Sequence, residues 1–112
     1  MISYEDFKKI ELKVAKIISA ERIKGSEKLL KLMIDVGDPS ASSGQARQLV
    51  AGIGKCYESE TLVGREIIIV ANLETRKLMG VESQGMLLAA DSEEGPVLLT
   101  VLGEVKPGSH IK

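Results

Sequence analysis

From Leu30 to Val36 the chain alternates strictly, with Leu30, Leu32, Ile34 and Val36 on one side and Lys31, Met33 and Asp35 on the other. A period of two over seven residues predicts a half-buried β-strand over 30–36. Leu12 and Val14 against Lys13 and Ala15 start a similar alternation, but its phase slips at Lys16-Ile17-Ile18. A slip of one residue inside a strand predicts a β-bulge, and hence a long bent strand over 12–23. Arg47 to Ile53 reads as a third strand, with Gly52 marking a bulge or a close backbone approach. Two apolar runs, Ile67–Ala71 and Met86–Ala90, predict buried strands over 65–72 and 86–91. Ser92-Glu93-Glu94-Gly95 then turns the chain into Val97–Leu102, and Lys106-Pro107-Gly108 turns it into a last strand over 109–112.

The helical signals are short. Ser3 with Asp6 resembles a capping box, flanked by Ile2 and Phe7 at the positions of a hydrophobic staple, so a helix is expected over about 4–10. Such a helix is too short to stand alone and needs a sheet or a second subunit beneath Phe7 and Ile10. Glu58–Gly64 fits one helical turn, near 58–63, before the fourth strand. Lys24–Lys28 is a turn and Gly37–Ala46 a loop. The stretch between the last two core strands, 72–85, is also read as a loop, holding Arg76, Lys77, Ser83, Gln84 and Gly85.

A bent first strand, an all-β pattern and a helical turn between strands three and four predict an OB-fold. This is a five-stranded Greek-key barrel, here with a short N-terminal helix and C-terminal extension strands. Residues 1–112 read as one domain. OB-folds bind nucleic acid through the face of strands two and three and the loops after strands one and four. On that mapping Lys24 and Lys28 lie in the first of those loops, Arg47 opens strand three, and Arg76, Lys77, Ser83 and Gln84 lie in the second. Residues distant in sequence thereby converge on one face.

Composition narrows the chemistry. A single cysteine, Cys56, excludes an internal disulfide, and it is expected to act as a small hydrophobe near a strand end. No apolar run approaches the roughly 18 residues of a membrane span, and no signal-peptide pattern opens the chain. A cytoplasmic protein is expected. His110 lacks a Cys, Asp or Glu neighbour at ligand spacing, and no nucleophile–base pair can be assembled, so neither metal, cofactor nor catalytic residues are expected. The net charge is −1, yet residues 1–77 carry 13 Lys/Arg against 11 Asp/Glu while residues 78–112 carry 2 against 5. The aromatics are Tyr4, Phe7 and Tyr57, none on the mapped face. Base stacking on aromatic rings is therefore not the expected binding mode, which leaves shape and phosphate contacts.

Taken together, Tyr4–Phe7, Leu12–Val14, Gly25–Leu30, Ile34–Gly37, Arg47–Ile53 and Leu62–Arg65 resemble one family across nearly the whole chain. Asn72-Leu73 with Arg76-Lys77, Gly80–Met86 and Lys106-Pro107-Gly108 complete the set. The family is the C-terminal tRNA-binding domain of methionyl-tRNA synthetases and related free-standing tRNA-binding proteins. The resemblance implies a homodimer that binds the outer corner of tRNA by shape, alone or alongside the catalytic body of the synthetase. It implies tRNA-binding roles for Lys28, Arg47, Arg76, Lys77, Ser83, Gln84, Gly85 and Met86. The chain departs from the family pattern at Asp38–Ala46, an apparent insertion, at Ala51 in place of Ser, and at Glu74-Thr75 in place of Lys-Pro.

Each of these residues also has a plainer reading. Arg47 has Asp35 and Glu66 as alternative partners in the sheet, Lys28 suits a solvated turn, and Met86 suits the core. Ser83-Gln84-Gly85 suits a turn before a strand. Two rival functions follow: a chaperone-like dimer of the same fold with an apolar client groove, and a dimerisation domain in which RNA binding has decayed.

Overall fold

The computed structural model describes residues 1–37 and 46–112, so the expected insertion lies outside the described residues except for Ala46. A bulged strand β1 (Leu12–Arg22) runs through the middle of the sheet. One edge of β1 pairs with β2 (Leu30–Asp35) over 16–22 and with the C-terminal β10 (His110–Ile111) at Leu12-Lys13. The other edge pairs with β4 (Glu66–Val70) over 12–16. β2 carries β3 (Arg47–Ala51), and β4 carries β7 (Met86–Leu87). The path β3–β2–β1–β4–β7 curls into a nearly closed, OB-type barrel.

The register of β1 against β2 shifts between Ile17 and Ser19, at the expected bulge. At that point the Ile17 N–H donates to Arg65 (2.9 Å) and the Ile17 carbonyl accepts from Gly64 (2.8 Å). These bonds fasten the strand to the exit of the short helix α2 (Ser59–Leu62), whose Leu62 is fully buried. The barrel interior is filled by alternating residues of the strands: Ala15 and Ile17, Leu30, Leu32 and Ile34, Leu49 and Ala51, Ile67 and Ile69. At about 25 cal/mol per Å² of apolar surface, each fully buried Leu or Ile contributes roughly 1.5–3 kcal/mol, so this column is the main stabilising feature.

The N-terminal helix α1 is shorter than expected, Tyr4–Phe7. The Ser3 hydroxyl caps it by accepting from Asp6 N–H (3.1 Å), but it has no buried residue to extend its packing. Asn72 ties its exit to the barrel, accepting from Glu11 N–H at 2.8 Å and donating to the Lys9 carbonyl at 2.6 Å.

The apolar run 86–90 is not one strand. It breaks at Leu88 because its two halves pair differently, β7 with β4 and β8 (Ala89–Ser92) with β9 (Gly95–Leu98). Tyr57 pins this outer hairpin, its hydroxyl accepting from Leu98 N–H (3.1 Å). The stretch expected as a loop also contains a hairpin, β5 (Arg76–Leu78) with β6 (Val81–Ser83).

Candidate nucleic-acid interface

The seam of the barrel, between β3 and β7, is closed by one backbone bond and several side-chain bonds from residues 82–84 rather than by a full ladder. The Gln84 N–H donates to the Gln48 carbonyl (2.8 Å), and the Gln84 Oε1 accepts from Gln48 N–H (3.0 Å). Gln48 Nε2 in turn donates to the Glu82 carbonyl (2.8 Å). One residue earlier, Ser83 Oγ accepts from Val50 N–H (2.9 Å) and donates to the Gly85 carbonyl (3.0 Å). Ser83 is 4% exposed. This short Ser-Gln clasp replaces ladder bonds that β3 would otherwise lack at a buried edge, where an unpaired N–H is costly.

Gly85 makes the clasp possible. Its φ is +149°, and a Cβ there would stand 3.0 Å from the Val70 carbonyl oxygen and 3.1 Å from Leu49 Cδ1. Its lack of a side chain lets the chain pass this close to Val70 and Leu49 at the start of β7.

The clasp holds the β5–β6 hairpin along the edge of β3 that β2 leaves free. Cross-strand pairing puts Arg76, Leu78, Val81 and Ser83 on one side of the hairpin and Lys77 with Glu82 on the other. The tip reaches the β1–β2 turn, where Met79 Cε lies 3.6 Å from the position of a Gly25 Cβ. Arg76 and Lys77 are exposed, and neither has an ion pair or side-chain hydrogen bond among the described residues. Lys24 and Lys28, both exposed, stand in that turn. Lys28 lays its aliphatic stem over Gly52, where a Cβ would come within 2.9 Å of its Cε. The neighbour at Gly52 is thus a side chain and not the backbone expected there.

The other expected site residues are placed differently. Arg47 is half-buried at the barrel end and donates to the Ala71 carbonyl (2.7 Å), binding neither Asp35 nor Glu66. Its charge-assisted bond joins the first residue of β3 to the residue after β4. Met86 is 44% exposed rather than core, because Leu87 takes the inward position of that strand. Cys56 is also exposed, with its thiol 3.6 Å from the Glu94 carbonyl, and is not a buried hydrophobe.

Lys31 was missed by motif reading. It lies on the outward face of β2 and pairs with Glu21 at 2.6 Å. Its signal was the polar phase of the 30–36 alternation. Arg22, another cation of this region, is held by the Gly54 carbonyl (2.8 Å) and by Glu58 (3.6 Å).

A nearly closed OB-type barrel, with unpaired cations on the hairpin after its fourth strand and in the turn after its first, defines a nucleic-acid-binding class. A family model described as "Putative tRNA binding domain" matches residues 12–110. The chain belongs to this tRNA-binding family. It is 52% identical over 110 residues to the methionine--tRNA ligase of Caldanaerobacter subterraneus subsp. tengcongensis and 50% identical over 110 residues to that of Thermotoga maritima. In both cases the match covers 98% of this chain but 16% of the ligase. Among solved structures, a MetRS-related protein from Pyrococcus horikoshii superposes with a TM-score of 0.88 at 37% identity, covering 100% of this chain and 98% of that one. The CsaA chaperone protein of Picrophilus torridus superposes with a TM-score of 0.87 at 31% identity, covering the whole of both chains.

Proposed function

We propose that residues 1–112 act as one non-catalytic domain that binds tRNA by its shape and backbone, serving a cytoplasmic methionyl-tRNA synthetase. The observation that carries this reading is the clasped hairpin, which leaves Arg76 and Lys77 exposed and unpaired among the described residues, one on each side of it, and brings its tip to the turn that bears Lys24 and Lys28. Phosphate contacts of this kind position RNA without reading its sequence. Lys28, Arg76 and Lys77 are the direct contacts, with the Gln84 amide and Met86 at their margin. Arg47, Ser83 and Gly85 contribute by holding the hairpin and barrel end in place. With phosphates engaged by Lys28, Arg76 and Lys77, log K falls with log salt at a slope of about −2 to −3. Such weak binding becomes useful when an attached catalytic body or a second copy raises the effective concentration. No described helix is long and apolar enough to cross a membrane.

The same reading includes a homodimer. Ile111, Leu12, Val70 and Met86 are successive cross-strand partners and so share one face of the sheet. Beside them, Tyr4, Phe7, Ile10 and Ile111 line an open cleft of about 450 Å³ between α1 and β10. Apolar surface of this extent suits a second copy. Sedimentation at micromolar concentration giving only a 12.1 kDa species would count against it.

The similarity to a CsaA chaperone favours a second reading, capture of apolar protein segments. Gel shifts with folded tRNA, denatured tRNA and an RNA duplex of equal length test the RNA reading. Retarding only folded tRNA is the expected result, and retarding none of the three overturns it. Suppressed aggregation of an unfolded client in the absence of RNA binding would establish the chaperone reading instead.

A further inference from the structure

The turn of the β5–β6 hairpin is Met79-Gly80, with φ of +51° and +80°, closed by the Leu78–Val81 pair. Two positive φ values in a two-residue loop select Asn-Gly or a similar pair, because the left-handed conformation is disfavoured for most side chains and tolerated best by Gly and Asn. Met79 is the one non-glycine residue with positive φ among the described residues. It is 59% exposed, so no burial in the core offsets the conformation. An apolar side chain held at a disfavoured, solvent-facing turn is an outlier of the kind that collects at binding sites.

Its surroundings say what it would bind. A cleft of about 370 Å³ opens between the hairpin tip and the β1–β2 turn. That volume lies within the range of small-ligand clefts, roughly 300–1,000 Å³. Met79, Val81 and Ile23 supply its apolar lining, and Glu21, Lys24 and Lys31 its charged lining together with Arg22, whose guanidinium is held by the Gly54 carbonyl and Glu58. Lys31 holds the Glu21 carboxylate at 2.6 Å, which fixes an acceptor at the cleft. Lys24 has no ion pair among the described residues. An apolar surface, an oriented carboxylate and an unpaired cation complement the three parts of a nucleotide: ring face, amino edge and phosphate.

We infer that this cleft is a subsite for one unstacked nucleotide of the bound RNA. The base lies against Met79 and Val81, its exocyclic amino group donates to Glu21, and its phosphate lies beside Lys24. The polarisable thioether takes the place of the aromatic ring that other single-strand platforms use. The inference rests on the RNA-binding reading and adds a base contact to recognition otherwise made by shape and phosphate.

The test uses the full chain labelled with ¹³C at the methionine methyl groups, of which there are four. Met79→Leu identifies the Met79 signal. On titration with folded tRNA the Met79 methyl is expected to move upfield by ring current, while Met1 stays in place. Met79→Asn, which suits the turn, is expected to raise the melting temperature and weaken tRNA binding about tenfold, in the lower part of the range for loss of a stacked base. Its salt slope is expected to stay unchanged. A Met79 methyl that does not move while wild type binds tRNA overturns the subsite alone, as does wild-type affinity in Met79→Asn. A methyl that moves with an apolar peptide but not with tRNA also overturns it. Failure of the wild-type protein to bind folded tRNA overturns the RNA reading itself.

Discussion

Gln84 and Gln48 form a reciprocal pair across the barrel seam, one bond made by backbone alone and the other by the Gln84 side chain standing in for a carbonyl. Gln84 directly follows the cationic hairpin, so the bonds that close the barrel also anchor the hairpin.

Gln84→Ala therefore removes the acceptor for Gln48 N–H. A loss of about 0.5–1.5 kcal/mol is expected, the usual net value of such a bond. Urea denaturation measures the loss, and hydrogen exchange locates it as faster exchange at the Gln48 amide.

Ser83→Ala is expected to be more damaging. It leaves the buried Val50 N–H and the Gly85 carbonyl without their partner, and an unsatisfied buried polar group costs about 1–3 kcal/mol. Its tRNA binding, measured well below the melting transition, is expected to weaken through a looser hairpin with the salt slope unchanged. A variant as stable as wild type would show that the hydroxyl does not close the seam.

The barrel was legible where one strand carries its own pattern. The alternation over Leu30–Val36 and the phase slip beside Ile17 correspond to β2 and to the bulge in β1. The break at Leu88 was not legible, because an apolar run does not say that its halves pair with different strands. The β5–β6 hairpin was hidden because each strand has three residues and its turn carries Met79 where Asn would announce it. The roles of Ser83 and Arg47 could not be read either. Their partners are backbone groups of Val50 and Ala71, distant in sequence and without any side-chain signature.

Arg47→Met separates a structural cation from a ligand contact. Losing the charge-assisted bond to the Ala71 carbonyl is expected to cost about 1.5–3 kcal/mol. The log K–log salt slope for tRNA is expected to remain within error of wild type, because that guanidinium neutralises no phosphate. A slope shallower by nearly one unit, with stability intact, would place Arg47 in the interface instead.

The opposite signature is expected of Arg76→Ala combined with Lys77→Ala. Both side chains are exposed and unpaired among the described residues, so stability is expected to change by no more than about 0.5 kcal/mol. Removing two phosphate contacts makes the salt slope shallower by about 1.4–1.8 units, at roughly 0.7–0.9 per contact. The loss is expected to be similar for different tRNA species, since phosphate contacts carry no sequence information. Lys8→Ala with Lys9→Ala is the control. It removes the same charge at the end of α1, where Lys9 already faces Asp6 at 3.4 Å and Lys8 lies over the Tyr4 ring. Long-range attraction alone would make the two double variants equivalent. A defined interface requires the hairpin variant to lose affinity and slope while the helix variant keeps both. Binding isotherms at a series of salt concentrations for the three proteins decide between these outcomes.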